Sequence, residues 1–175
     1  MPGMRWAGVW NGLRVWGLWL CMVVAAQGAP LRVWTGVVVH VSDGDTLWVR
    51  LQRANLPYKL RLDGLDAPEI CQAWGPQAKE ALRALVLRHA VTVQVRARDT
   101  YGRWLARVYL YNQDVGAWLV LHGHAWSYGF RGEVGPYAVQ QALAQHQRQG
   151  LFAQGDAVAP RAFRRRWGPC PHPGD

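Results

Sequence analysis

Eleven acidic residues are spread along 175 positions, and five of them fall between Asp43 and Glu69. They form two clusters, Asp43-Gly44-Asp45-Thr46 and Asp63-Gly64-Leu65-Asp66-Ala67-Pro68-Glu69, separated by an apolar stretch with the alternation of a strand. Crowded carboxylates repel one another, and a cation relieves that repulsion. Donors that are all oxygen select a hard divalent ion, calcium or magnesium. The rest of the chain is basic, with a formal charge of +9, and Arg61 leads the second cluster. Guanidinium groups beside a hard cation point to chemistry on phosphate.

The residue types sort into roles. Asp45 and Asp66, each near the end of a predicted strand, are the candidate cation ligands, with backbone carbonyl and water completing a calcium shell. Asp43 either orients water on the cation or is a solvated turn residue. Glu69 lies three residues beyond Asp66 with Pro68 between, so its carboxylate can stand beside the cation without joining it and act on the attacking water. Its alternative is a structural carboxylate capping the next loop. Arg61 and Arg103 are placed to stabilise charge on phosphoryl oxygens; the plainer readings are an ion pair for Arg61 and an exposed charge after a glycine turn for Arg103. Tyr101 and Tyr128 either contact substrate, by hydrogen bond or base stacking, or belong to the core. Asp63 reads as a turn or surface carboxylate. His122 and His124 lack a third nitrogen or sulfur ligand nearby, which favours a helix end and packing over zinc.

These side chains need elements to hold them. Leu31–Val41, Thr46–Leu51 and Tyr58–Leu62 read as a β-meander with the acidic residues at strand ends. A helix is predicted after Gly75 and Pro76, with its apolar stripe on Ala81, Leu82, Leu85 and Val86. Two more strands follow, Ala90–Ala97 and Trp104–Tyr111, with a turn from Asp99 to Gly102 between them. Asp114 is a predicted N-cap of a short helix ending near Gly123, and a third helix runs from Pro136 to about Gln149, stopped by Gly150. From Pro160 the chain reads as a tail containing Arg164, Arg165 and Arg166, which either contact phosphates or form a solvated basic end. Five short strands with about three helices predict an α+β fold, an OB-fold five-stranded Greek-key β-barrel.

The ends set the context. Arg5 and Arg14 precede an apolar run from Val15 to Ala26 and the small residues Ala25, Ala26, Gly28 and Ala29, so residues 1–28 read as a secretory signal peptide. The run is too short for a membrane span, which takes about 20 residues. Without Arg5 and Arg14 the formal charge falls from +9 to +7. Only Lys59 and Lys79 are lysines, so the charge is almost wholly guanidinium. The expected organisation is one domain over 31–154 followed by a basic C-terminal tail, 155–175, in a monomer with no stable membrane span after cleavage. Cys71 and Cys170 remain once the leader is gone. Export makes one disulfide between them plausible, worth on the order of 3–4 kcal/mol, against two free thiols.

From Trp34 to Phe152 the chain resembles the staphylococcal (micrococcal) nuclease family of secreted, calcium-dependent phosphodiesterases. The residues that carry the resemblance are the Asp-Gly-Asp-Thr turn at 43–46, the run from Arg61 through Asp66 and Pro68 to Glu69, Asp99 with Tyr101, Gly102 and Arg103, and the sequence Ala125-Trp126-Ser127-Tyr128. The resemblance implies Ca²⁺ as cofactor, a ligand from the backbone carbonyl of Ala67, where the staphylococcal enzyme has threonine, and a general-base or water-positioning role for Glu69. It implies a secreted or periplasmic endonuclease acting on a nucleic acid substrate, DNA and/or RNA. The alternative is a non-catalytic nucleic-acid-binding module on the same barrel. Relative to the staphylococcal enzyme the segment from Ile70 to Gly75 is shortened.

Overall fold

The computed structural model describes residues 32–52, 54–129 and 135–171. The segment read as a leader, 1–28, lies outside them. Alternating apolar residues build five strands: β1 (Arg32–Val41), β2 (Thr46–Leu51), β3 (Tyr58–Leu62), β5 (Ala90–Arg98) and β6 (Trp104–Leu110). Three two-residue strands, β4 (Leu65–Asp66), β7 (Gln113–Asp114) and β8 (Trp126–Ser127), extend or flank them. The long strands pair in the order β3-β2-β1-β5-β6, and β6 returns to pair with β3 in parallel, with Leu60 opposite Trp104 and Leu62 opposite Ala106. That pairing closes the barrel, and the fold is α+β and OB-like. Val38, Leu47, Val49, Leu60, Val93 and Val108 point inward with no solvent exposure.

Helix α1 (Gly75–Val86) begins with Pro76 in its first turn and buries Ala78, Leu82 and Val86, a stripe spaced by four residues. A side chain at Gly75 would run into the Glu69 carbonyl, so the chain bends back on itself just after the second acidic cluster. Asp114 caps α2 (Val115–Leu121), accepting a hydrogen bond from the Ala117 N–H at 3.0 Å. α3 (Ala138–His146) is shorter at both ends than its sequence pattern. Ahead of it the Ala138 N–H bonds back to the Gly135 carbonyl across a turn. After it, Arg148 and Gly150 take left-handed backbone, with φ of 52° and 51°.

The sequence placed a tail from Pro160 onward and about three helices in all. The structure instead forms a fourth helix there, α4 (Pro160–Trp167). Pro160 suits a helix start, and the arginines are good helix formers. Phe163 and Trp167, one turn apart, pack together with ring centroids 4.9 Å apart. Cys71 and Cys170 are joined by a disulfide, with S–S 2.09 Å, which fastens the chain beyond α4 to the segment before α1. No helix among the described residues is long and apolar enough to cross a membrane.

Candidate active site

The site begins with the turn between β1 and β2. The Asp43 carboxylate accepts the Asp45 N–H at 3.0 Å, which folds the turn and aims Asp45 inward. Asp45 is 4 % exposed, and its Oδ1 accepts the Thr46 hydroxyl at 2.9 Å. The Leu62 N–H donates to the Asp45 carbonyl at 2.8 Å, tying this turn to the end of β3, where the chain enters the second cluster. Asp66, 3 % exposed, stands on β4 and is held in register by Trp126 of β8.

Between these two buried carboxylates lies Arg61. It sits on β3 opposite Thr46, donates through Nη1 to Asp45 (3.0 Å to Oδ1, 2.9 Å to Oδ2), and through Nη2 to Asp66 Oδ1 at 2.7 Å. Burial raises the Asp45 carboxyl to about 6; Arg61 opposes the shift and Asp43 adds to it. Burial alone would lower Arg61, but Asp45 and Asp66 outweigh it and hold the guanidinium more firmly charged than usual. The Ala67 N–H donates to Asp45 Oδ2 at 3.3 Å, so the residue after Asp66 closes over the first cluster.

Arg103 approaches from the start of β6. Its Nε donates to Asp99 Oδ2 at 2.7 Å, and its N–H to Asp99 Oδ1 at 2.9 Å. Burial would raise Asp99, yet the hydrogen bonds from Arg103 and Tyr101 win and hold it below its ordinary range. Gly102 supplies the left-handed backbone, φ 78°, that this turn requires. The Arg103 guanidinium lies over the Tyr101 ring, 5.4 Å from its centre.

Asp43, Asp45, Arg61, Ala67, Glu69, Tyr101 and Arg103 line one cleft of about 550 Å³, which also receives Lys59. Asp66 and Tyr128 line an adjoining cleft of about 280 Å³ that shares Arg61, Tyr101 and Arg103. Tyr101 is 83 % exposed and Tyr128 39 %, so neither is a core residue. Asp63 pairs outside both buried carboxylates, with Arg96 Nη2 at 2.7 Å from its Oδ1. His122 caps the C-terminus of α2, and both His122 and His124 stack on Trp118.

Sequence reasoning missed two charged side chains of this cleft, Lys59, read only as one of two lysines, and Arg164, read only as part of a basic tail. Arg164 of α4 reaches Glu69 Oε1 through Nη1 at 2.7 Å and Asp66 Oδ2 through Nη2 at 2.8 Å. Burial would lower it, but its bonds to Asp66 and Glu69 hold it raised. The one signal in the sequence was the arginine run preceding Cys170. α4 also walls a separate apolar cleft of about 370 Å³, into which Phe163 and Trp167 turn beside Trp74 and Trp126.

Among the described residues no three Asp, Glu, His or Cys side chains form a metal cluster by themselves. The two adjoining clefts between them offer two buried carboxylates, Asp45 and Asp66, with guanidinium groups on their walls. A cation held there would depend on carbonyl and water as well, the donor set of calcium and not of zinc. Carboxylate oxygens are the donors that suit a hard cation, and guanidinium groups beside them suit an anionic ligand.

The sequence model of the Staphylococcal nuclease homologue family matches residues 59–154. An "Uncharacterized endonuclease" of Haemophilus influenzae is 37 % identical over 129 residues, covering 74 % of this chain and 72 % of its own. "Protein ParB" of Escherichia coli is 36 % identical over 156 residues, 82 % of this chain and 85 % of its own. A "Micrococcal nuclease" of Shigella flexneri is 35 % identical over 143 residues, 74 % and 80 %.

Proposed function

The chain belongs to the staphylococcal nuclease homologue family, and we propose that it is a calcium-dependent endonuclease that hydrolyses phosphodiester bonds of DNA or RNA outside the cytoplasm. The observation that carries this reading is Arg61 bridging two buried carboxylates on the wall of a cleft that also holds Glu69 and Arg103. Asp45, Asp66 and the Ala67 carbonyl are the groups that would hold Ca²⁺, with Asp43 orienting water. When bound, the ion supplies Lewis-acid polarisation of a phosphoryl oxygen and a more acidic water.

The chain's own residues do the rest. Glu69 takes a proton from the attacking water as its oxygen bonds to phosphorus; one P–O ester bond breaks, and the leaving oxygen is protonated from solvent. Negative charge accumulates on the non-bridging oxygens, where Arg61 and Arg103 stabilise it in a cleft that partly excludes water. Exposed Tyr101 and Tyr128 offer faces for an adjoining base. Export is supported by the leader-like residues 1–28 and by a disulfide, a bond that persists in oxidising compartments.

Digestion of DNA and RNA by the exported protein, with Ca²⁺ or with a chelator, tests the proposal. Cleavage with Ca²⁺ that stops on chelation is expected, with weaker turnover in Mg²⁺, whose stricter octahedral shell suits this donor set less. Full cleavage in chelator overturns the calcium assignment. Binding without cleavage under every cation makes the protein a nucleic-acid-binding module.

A further inference from the structure

We propose that Arg164 is a third guanidinium of the active site, a positioning residue that holds the Glu69 carboxylate beside Asp66 and is itself held there by the Cys71–Cys170 bridge. The inference rests on the nuclease reading above. Glu69 stands on backbone that no strand or helix ladder fixes, in the stretch between β4 and α1. Its N–H is tied to Gln72 Oε1 at 3.2 Å, and among the described residues the donor to its carboxylate is Arg164 Nη1, at 2.7 Å. The same guanidinium reaches both oxygens of Asp66, at 2.8 and 3.3 Å. One planar fork therefore spans two carboxylates that would otherwise repel, which a single ammonium point charge does less well.

Arg164 does not arrive on a loose arm. The disulfide joins Cys71 to Cys170, the Cys71 N–H points at Cys170 Sγ at 3.0 Å, and Gln72 Nε2 donates to the Val158 carbonyl at 2.6 Å. All three ties land on residues 71 and 72, two and three positions after Glu69, and they bracket α4 from Val158 to Cys170. The loop that carries Glu69 and the helix that carries Arg164 are thus one clamped unit. The family match ends at residue 154, so the α4 half of this clamp, from Val158 to Cys170, lies beyond the matched residues. A carboxylate that must take a proton in the transition state is sensitive to placement: an error of about 1 Å costs on the order of 10²-fold in rate.

The test compares wild type, Arg164→Ala, Arg164→Lys, the pair Cys71→Ser with Cys170→Ser, and that pair combined with Arg164→Ala. For each, kcat and KM are measured on DNA with Ca²⁺, together with amide hydrogen exchange over residues 67–72 and the melting temperature. Arg164→Ala should lower kcat by roughly 10–100-fold while KM changes by no more than about threefold, and Arg164→Lys should recover only part of the loss. The serine pair should slow the wild type yet add nothing in the Arg164→Ala background, because both changes remove the same constraint. Exchange over 67–72 should quicken in both single backgrounds. A kcat at or above wild type in Arg164→Ala, or losses that multiply in the combined variant, overturns the proposal. If Arg164→Ala does not fold, an unimpaired Arg164→Lys does so instead. The exchange measurement needs no turnover. A wild type that cuts nothing refutes the proposed function alone, and exchange then decides: faster in Arg164→Ala supports the clamp, and unchanged overturns it.

Discussion

Asp45 and Asp66 are nearly solvent-free carboxylates, and Arg61, the guanidinium that pairs with both, makes their burial tolerable, with Arg164 adding a second partner for Asp66. Removing Arg61 leaves charge in a poorly solvated place. Arg61→Ala should therefore destabilise the metal-free protein by on the order of 3 kcal/mol, and added Ca²⁺ should restore much of that by binding only the folded site. Arg103 is different, since it pairs with one half-buried carboxylate, Asp99, in a turn and not with two nearly solvent-free ones; Arg103→Ala should cost less, on the order of 1 kcal/mol. Both variants should still bind Ca²⁺ and turn over ~10²-fold or more slowly, whereas Asp45→Ala should lose calcium affinity. Thermal melts with and without Ca²⁺, calorimetry and digestion rates on the same proteins check this split. Equal stability of Arg61→Ala and Arg103→Ala in chelator would refute the structural half of Arg61's role. The grouping of Asp43, Asp45, Arg61, Asp66 and Glu69 was legible in the sequence because they lie in or next to one β-meander; Tyr101, Arg103 and Tyr128 come from later elements and were reached through the family resemblance. Arg164 was not, because it comes from 95 residues after Glu69 and its approach is decided by a distant covalent tie.

At the scale of elements, the strands were legible to within a residue or so, since period-two alternation and barrel burial enforce the same register. The ends of α3 and the existence of α4 were not. A run of arginines carries little hydrophobic pattern, and α4 is held mainly by contacts remote in sequence. One junction makes a pH prediction. His124, just past α2, accepts a hydrogen bond at Nδ1 from Trp74 Nε1 at 3.3 Å and stacks against Trp118. Burial, with His122 beside it, pushes His124 below its ordinary 6.5. The unfolded chain then binds a proton more readily than the folded one. The stabilisation is complete above about 6.5 and is lost as pH falls through the folded value. Melting temperatures between pH 7.5 and 5.5 should fall more steeply for wild type than for His124→Phe, which keeps the stack and removes the titration. Parallel slopes would show that this histidine does not sense pH.

For the whole molecule, the barrel supplies a rigid wall and the disulfide supplies the lid of chain that finishes the cleft. The barrel is closed by β3 pairing with β6, a pairing that does not include α4; the bridge ties the chain just after α4 to Cys71, across 99 residues. Sequence left Cys71 and Cys170 open between pairing and free thiols because parity and export say nothing about distance, which only the folded chain sets. Cross-linking so long a loop restricts the unfolded chain, for a stabilisation on the order of 3–4 kcal/mol. The barrel core does not contain it: Leu47, Leu60, Val93 and Leu119 are fully buried on β2, β3, β5 and α2, none of which carries either cysteine. Reduction should therefore lower the melting temperature by roughly 10 °C, given about 2–4 °C per kcal/mol for a domain of this size, without a loss of cooperativity. Calcium binding at 25 °C should survive, because Asp45, Asp66 and Ala67 are positioned by strands and the β1–β2 turn. Scanning calorimetry and calcium titration of oxidised and reduced protein decide it. If reduction abolishes calcium binding while the barrel remains folded, the site is assembled by the tail and not by the barrel.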